Sequence, residues 1–174
     1  MVQSVELLLD AVTEAALRGQ WDALAAAGLP SQASHTGASN RPHVTLDARD
    51  EVVPDAETRL AGVASVLPVG VVVGSPTVFG RLGTRSGLIL VRSVVVDATL
   101  LALHAAVHDA VGPGGSPTSA PGRWTPHVTL ARRMDADQVA GALRVLDGAD
   151  DLVGEATVLR RWDGEARREW VVGG

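Results

Sequence analysis

One pentapeptide is written twice in this chain, Pro42-His43-Val44-Thr45-Leu46 and Pro126-His127-Val128-Thr129-Leu130, and its second histidine lies 84 residues after the first (127 − 43). Side chains of an extended strand alternate between two faces. His43 and Thr45 therefore share one face while Val44 and Leu46 share the other, and the second copy repeats the arrangement. Each copy is half core and half reagent, so the fold has to bury two apolar strand faces while leaving two imidazole-hydroxyl faces open.

The surroundings of the pentapeptides repeat as well. Val5 to Leu9 reads as a buried strand, and Asp10 is placed to cap a helix running to about Ala27, with Leu17, Trp21, Leu24 and Ala25 on its inner face. The same order returns downstream: Val94 to Val96 as strand, Asp97 as cap, Ala98 to Val111 as helix. Each helix enters a loop rich in Gly, Pro, Ser and Thr (28–41 and 112–125) that delivers the chain into its motif strand. A second helix follows each motif, about Asp55 to Leu67 and Asp135 to Leu146, and then come Gly74 to Arg81 and Gly154 to Arg161. Final strands are expected near Gly87 to Val96 and Arg168 to Val172. The period-two strands and paired helices predict an α+β fold of two pseudo-symmetric duplicated lobes, with antiparallel sheets lining a central cleft and helices outside. The whole chain, 1–174, is expected to form one bilobal domain, with about 1–90 and 91–174 as its interlocking halves.

Composition narrows the function classes. Hydrophobic residues make up 46% of the chain, enough to argue against general disorder. The net charge of −5 disfavours a broad contact with duplex DNA. All 15 basic residues are Arg. The absence of Lys excludes Schiff-base chemistry and a Walker-type phosphate loop, whereas Arg favours forked contacts to phosphate oxygens. There is no Cys and so no thiol nucleophile, disulfide or cysteine-based metal site. The amino terminus lacks the basic start of a secretory signal, and no apolar run approaches a membrane span. A cytoplasmic monomer without membrane contact is expected.

Two imidazoles of near-neutral pKa facing one phosphodiester can divide its hydrolysis, one taking a proton from water and the other giving one to the leaving alkoxide. Thr45 and Thr129 are then placed to donate hydrogen bonds to the non-bridging oxygens. Neither step calls for a metal or another cofactor.

These residues resemble the two-histidine phosphoesterase superfamily, which includes bacterial RNA 2′,5′-ligase and 2′,3′-cyclic nucleotide phosphodiesterases and is marked by paired His-x-Ser/Thr-x motifs on duplicated lobes. The resemblance implies a 2H phosphoesterase-like fold, His43 and His127 as the acid/base pair, and Thr45 and Thr129 as phosphate donors. An Arg five residues after the second His is typical of ligase-like members, and here it is Arg132. Strict alternation would instead aim Arg133 into the cleft, unless the strand bends after Leu130. An aromatic three residues before the second His is matched by Trp124, either stacking on a nucleobase or stapling its loop to the core.

The first motif departs from the pattern with Asp47-Ala48-Arg49-Asp50, where Asp47, two positions past Thr45, would repel phosphate if it faced the site. The expected partner is a small nucleotide or an RNA terminus with a cyclic phosphate. The expected activity is cyclic phosphodiester hydrolysis, with reversible 2′,5′-ligation or non-catalytic nucleotide binding as alternatives.

Other signals are weaker. His104 and His108 lie four apart on a helix and are expected to be solvent-facing or capped rather than zinc ligands. His35 sits in a loop able to fold over the cleft. Arg81, Arg85 and Arg92 flank a predicted hairpin as rim charges or a solvated strand edge. Trp162 and Trp170 are expected to pair across a terminal turn at Asp163-Gly164.

Overall fold

The computed structural model describes residues 2–173. The chain runs β1 (Gln3–Leu9), α1 (Ala11–Ala26), β2 (His43–Arg49), α2 (Ala56–Ala64), β3 (Val69–Gly80), β4 (Leu88–Val94), α3 (Ala98–Val111), β5 (His127–Met134), α4 (Ala136–Val145), β6 (Leu152–Asp163) and β7 (Arg168–Val171). A short 3-10 turn, Gln32–Ser34, lies between α1 and β2. The strands pair antiparallel in the order β2-β1-β6-β3-β4-β5, with β7 on β6. This is a mixed α/β fold, an antiparallel sheet flanked by helices.

Two arms make up the sheet, and its long strands join them. The first part of β3, Val69–Val73, pairs with Leu152–Ala156 of β6. Past that seam each strand serves a different arm, β3 pairing with β4 and β6 with β1. The two sheets expected from the sequence are thus continuous through one seam. Its ends are β2 and β5, the two motif strands.

The expected caps close two of the helices. Asp10 accepts from the Val12 and Thr13 amides of α1, and Asp97 from the Leu100 amide of α3. Leu17, Trp21 and Leu24 are buried, but Ala25 is exposed. It lies just beyond the angular stripe that the other three define. The strand before α3 ends at Val94, and Val95 and Val96 are solvent-exposed. Val44, Leu46, Val128 and Leu130 are all fully buried in one hydrophobic core. At ~25 cal/mol per Å2, burying four such side chains contributes several kcal/mol and fixes the motif strands in register.

Arginines tie the arms together. Arg49 at the end of β2 donates to the carbonyls of Val111 and Gly112, capping the C-terminus of α3. Arg92 is fully buried rather than on a rim, with its guanidinium on the Gly74, Val73 and Asp150 carbonyls. At the carboxyl end the expected tryptophan pair does not form. Asp163 pairs with Arg168, leaving four residues in the turn, so Trp170 stands opposite Arg161 instead of Trp162. The Arg161 guanidinium lies over the Trp170 ring at 5.0 Å.

Candidate active site

Both motif strands carry the same irregularity. In the first, Glu6 pairs with Thr45 but Val5 pairs with Asp47, which leaves Leu46 as an extra residue. In the second, Val91 pairs with Thr129 but Leu90 with Ala131, which leaves Leu130 extra. A bulge of this kind re-aims every side chain that follows it. Asp47 is thereby turned to the side of Val5, buried away from the site and bound by Arg49 at 2.6 Å. Arg132 is turned to the side of Thr129, with Nη2 3.4 Å from the threonine Oγ1. The bend after Leu130 therefore occurs.

A second irregularity follows between Ala131 and Met134. It coincides with Arg133 at φ 59° and with Gly87, at φ 60°, where a Cβ would press on the Arg133 backbone at 3.0 Å. Arg133 turns out of the strand beside Arg132, and both are exposed.

The imidazoles are held alike. His43 Nδ1 lies 2.6 Å from the Arg41 carbonyl and His127 Nδ1 2.7 Å from the Thr125 carbonyl. A carbonyl can only accept, so each Nδ1 carries a proton and each Nε2 is left to exchange one. The threonine backbones are clamped crosswise. Trp21 of α1 donates its indole N–H to the Thr129 carbonyl at 3.1 Å, and Trp124 donates to the Thr45 carbonyl at 2.8 Å. Trp124 also stacks on the buried His104 at 4.1 Å, whose Nε2 meets the Ser119 carbonyl. The loop-stapling role of Trp124 is thus present, and His104 is buried rather than solvent-facing.

One residue of each motif lines a shared space, while His43 and Thr129 are not among its walls. A chamber of about 360 Å3 is lined by Thr45 from one arm and His127 from the other, with Phe79, Ile89, Arg123 and Trp124 among its walls. The Phe79 ring meets His127 edge-on at 5.0 Å. His127 is half-buried, and its pKa is lowered from the ordinary value by desolvation, helped by repulsion from Arg132 and from His43.

The partner histidine has the opposite neighbour, since Glu6 Oε1 lies 3.7 Å from His43 Nε2. Burial acts to raise the Glu6 carboxyl, but His43, Arg160 and the Ser4 hydroxyl outweigh it and hold it below the usual carboxylate range. Glu6, Phe79 and Trp21 were not singled out for the site from sequence. Glu6 had a signal in being a charged residue within an apolar strand, on the face that pairs with Thr45.

Among the described residues no group of three or more His, Cys, Asp or Glu is arranged to hold a metal ion. Two solved structures share the fold. That of Kluyveromyces marxianus Usb1 aligns with a TM-score of 0.53 at 13% identity, covering 98% of this chain and 97% of that one. That of Kluyveromyces marxianus Usb1 with uridine monophosphate aligns with a TM-score of 0.51 at 12% identity over the same shares. No curated protein matches the sequence. The family model for the 2'-5' RNA ligase superfamily matches residues 13–165, a span holding both motifs and both bulges, and the chain belongs to that superfamily.

Proposed function

We propose that this protein is a metal-independent phosphodiesterase acting on 2′,3′-cyclic or 2′,5′-linked phosphodiesters of RNA ends or small nucleotides. The observation that carries this reading is the shared chamber, where Thr45 of one arm and His127 of the other face one space. Desolvation and Arg132 favour neutral His127, suiting it to take a proton from water. Glu6 Oε1 lies 3.7 Å from His43 Nε2, and this carboxylate neighbour is the ground for giving His43 the role of acid.

Water oxygen bonds to phosphorus as its proton passes to His127 Nε2. The P–O bond to the ribose oxygen breaks as that oxygen takes the proton of His43 Nε2, yielding a phosphomonoester from a cyclic substrate. Arg132 and the hydroxyls of Thr45 and Thr129 stabilise charge on the non-bridging oxygens. The wall formed by Phe79, Ile89 and Trp124 suits a nucleobase. Opening of the cyclic phosphate by a ribose 5′-hydroxyl instead of water, with breakage of the bond from phosphorus to the 3′-oxygen and the same two proton transfers, is 2′,5′-ligation.

The test is hydrolysis of 2′,3′-cyclic nucleotides with EDTA present, comparing wild type with His43→Ala and His127→Ala. Chelator-resistant turnover lost in both variants is expected. Binding without turnover in the wild type would make the chamber a nucleotide-binding module and sink the enzyme reading.

A further inference from the structure

Beside the chamber lies a second cavity of about 650 Å3, whose walls include Ala25, Ser31, Gln32 and His35 from α1 and the loop after it and Arg132 and Arg133 from β5. It holds two guanidiniums and an imidazole and no carboxylate, in a chain whose net charge is −5. Among the described residues neither arginine is in an ion pair, whereas Arg18, Arg41, Arg49, Arg160 and Arg161 all are.

Consecutive strand residues ordinarily point to opposite faces. Arg132 and Arg133 line one cavity because the second bulge and the left-handed backbone of Arg133 turn both outward. The loop wall is fastened to the catalytic strand. Ser31 Oγ donates to the Trp21 carbonyl at 2.6 Å, Trp21 in turn grips Thr129, and Asn40 Nδ2 holds the Gln32 and His35 carbonyls at 2.9 and 2.8 Å. Arg132 lines this cavity and also reaches the Thr129 hydroxyl of the second motif at 3.4 Å.

From this we infer that the cavity of His35, Arg132 and Arg133 binds a second phosphate of the substrate, so that the preferred substrate carries a phosphate besides the one being cleaved. The inference rests on the proposed phosphodiesterase reading. Planar guanidiniums bind phosphate in forked, charge-assisted pairs, and a loop-walled concave site shields those pairs better than an open surface does. The apolar chamber at His127 takes the base, and the cationic cavity takes the added charge.

The experiment compares kcat/KM for a nucleoside 2′,3′-cyclic phosphate with that for the same compound bearing a 5′-phosphate, and for a dinucleotide ending in a cyclic phosphate. The wild type is expected to prefer an added phosphate by about 10- to 100-fold. The larger gain tells whether a terminal monoester or a chain diester is the natural source. In Arg133→Gln the preference falls to near one. In Arg144→Gln, which removes the same charge from exposed α4 surface, it persists, separating a local site from long-range attraction.

Binding of nucleoside 3′-monophosphate and 3′,5′-bisphosphate by calorimetry gives a readout independent of turnover, with the bisphosphate expected about tenfold tighter and that gain lost in Arg133→Gln. Turnover and monophosphate binding with no gain from the second phosphate would overturn this inference and leave the phosphodiesterase reading standing. A gain that survives Arg133→Gln, or falls equally in Arg144→Gln, overturns it as well. Neither turnover nor binding of any of these compounds would overturn both.

Discussion

The two motif sites share a backbone and differ in what surrounds it. Each histidine donates Nδ1–H to the carbonyl two residues before it, each strand bulges at the leucine of its pentapeptide, and each threonine carbonyl receives an indole N–H. Opposite Thr45, however, stands Glu6, while opposite Thr129 stands Val91. Three residues past Thr45 is Ala48, and three past Thr129 is Arg132. The loop after α1 walls a cationic cavity, whereas the loop after α3 walls an aromatic chamber. The repeat supplies two matched imidazoles, and a carboxylate beside one and a guanidinium near the other set them apart, the asymmetry on which the proposed acid and base roles rest.

The strongest way to break this comparison is to remove each histidine in turn. His43→Ala and His127→Ala are each expected to lower kcat by about 100- to 10,000-fold on a cyclic nucleotide, with the double variant little worse than the poorer single one, as groups acting as a unit behave. A nitrophenyl phosphodiester separates them, because its leaving group departs without a proton. His43→Ala should recover most of its rate on that substrate and His127→Ala should not. Equal recovery would show that the two sites are not divided.

Charge removal around the pair sharpens the same contrast through pH. Under the proposed mechanism neutral His127 is the working form of the base, and its lowered pKa is expected to set the acid limb of the rate profile. Arg132→Gln withdraws a repulsion that lowers it, so the acid limb moves to higher pH while kcat/KM falls by about 10- to 100-fold. Glu6→Gln removes the carboxylate 3.7 Å from His43 Nε2, with an expected loss of about tenfold in kcat/KM and the acid limb left in place. Only Arg132→Gln should move the acid limb; a limb that moves equally in both variants would contradict the assignment.

Glu6 also bears on stability. Its folded carboxyl is held low, so its contribution is present above the unfolded value of about 4.3 and is lost as pH falls through the lower folded one. Arg160 keeps Glu169 as a partner in Glu6→Gln.

Much of this was legible in the sequence because it rests on periodicity and caps. The strand faces of His43 and His127, the caps Asp10 and Asp97, and the span Ala98–Val111 follow from local residue patterns. The asymmetry between the two sites was not legible, since Glu6 and Arg132 reach them through strand register, and a bulge has no reliable signature in residues that are themselves ordinary strand formers. Asp47 shows the consequence. Strict alternation would aim it at the phosphate, and one extra residue at Leu46 places it against Arg49 instead. The seam between β3 and β6 joins segments 83 residues apart (152 − 69), which local patterning does not encode.

Crosswise clamping by tryptophan gives a smaller effect. Trp21→Phe keeps the apolar contact but strands the Thr129 carbonyl, and Trp124→Phe does the same to Thr45. Each is expected to cost about 1–3 kcal/mol of stability, the penalty of a buried group left without its partner, read from urea denaturation. Trp21 belongs to the arm of His43 in sequence yet holds the strand of His127. Trp21→Phe should therefore broaden the His127 imidazole signals more than those of His43, and Trp124→Phe the reverse.

The least expected effect compares the two caps. Asp10 accepts from the amides of Val12, Thr13 and Glu155 and from the Thr13 hydroxyl, and these bonds lower its pKa to about 2. Asp97 accepts from the Leu100 amide. Asp10→Ala is expected to cost about 1–2 kcal/mol and Asp97→Ala about 0.5–1 kcal/mol. Because the folded Asp10 carboxyl is depressed, its share is present above the unfolded value of about 3.9 and disappears as pH falls towards 2. The gap between the two variants should thus close in acid. A gap that persists at pH 2 would mean that Asp10 acts by packing against β6 rather than through its charge. Gly154→Ala, which sets a methyl group on Thr13 Oγ1 and Asp10 Oδ2, would then be the variant that isolates that packing.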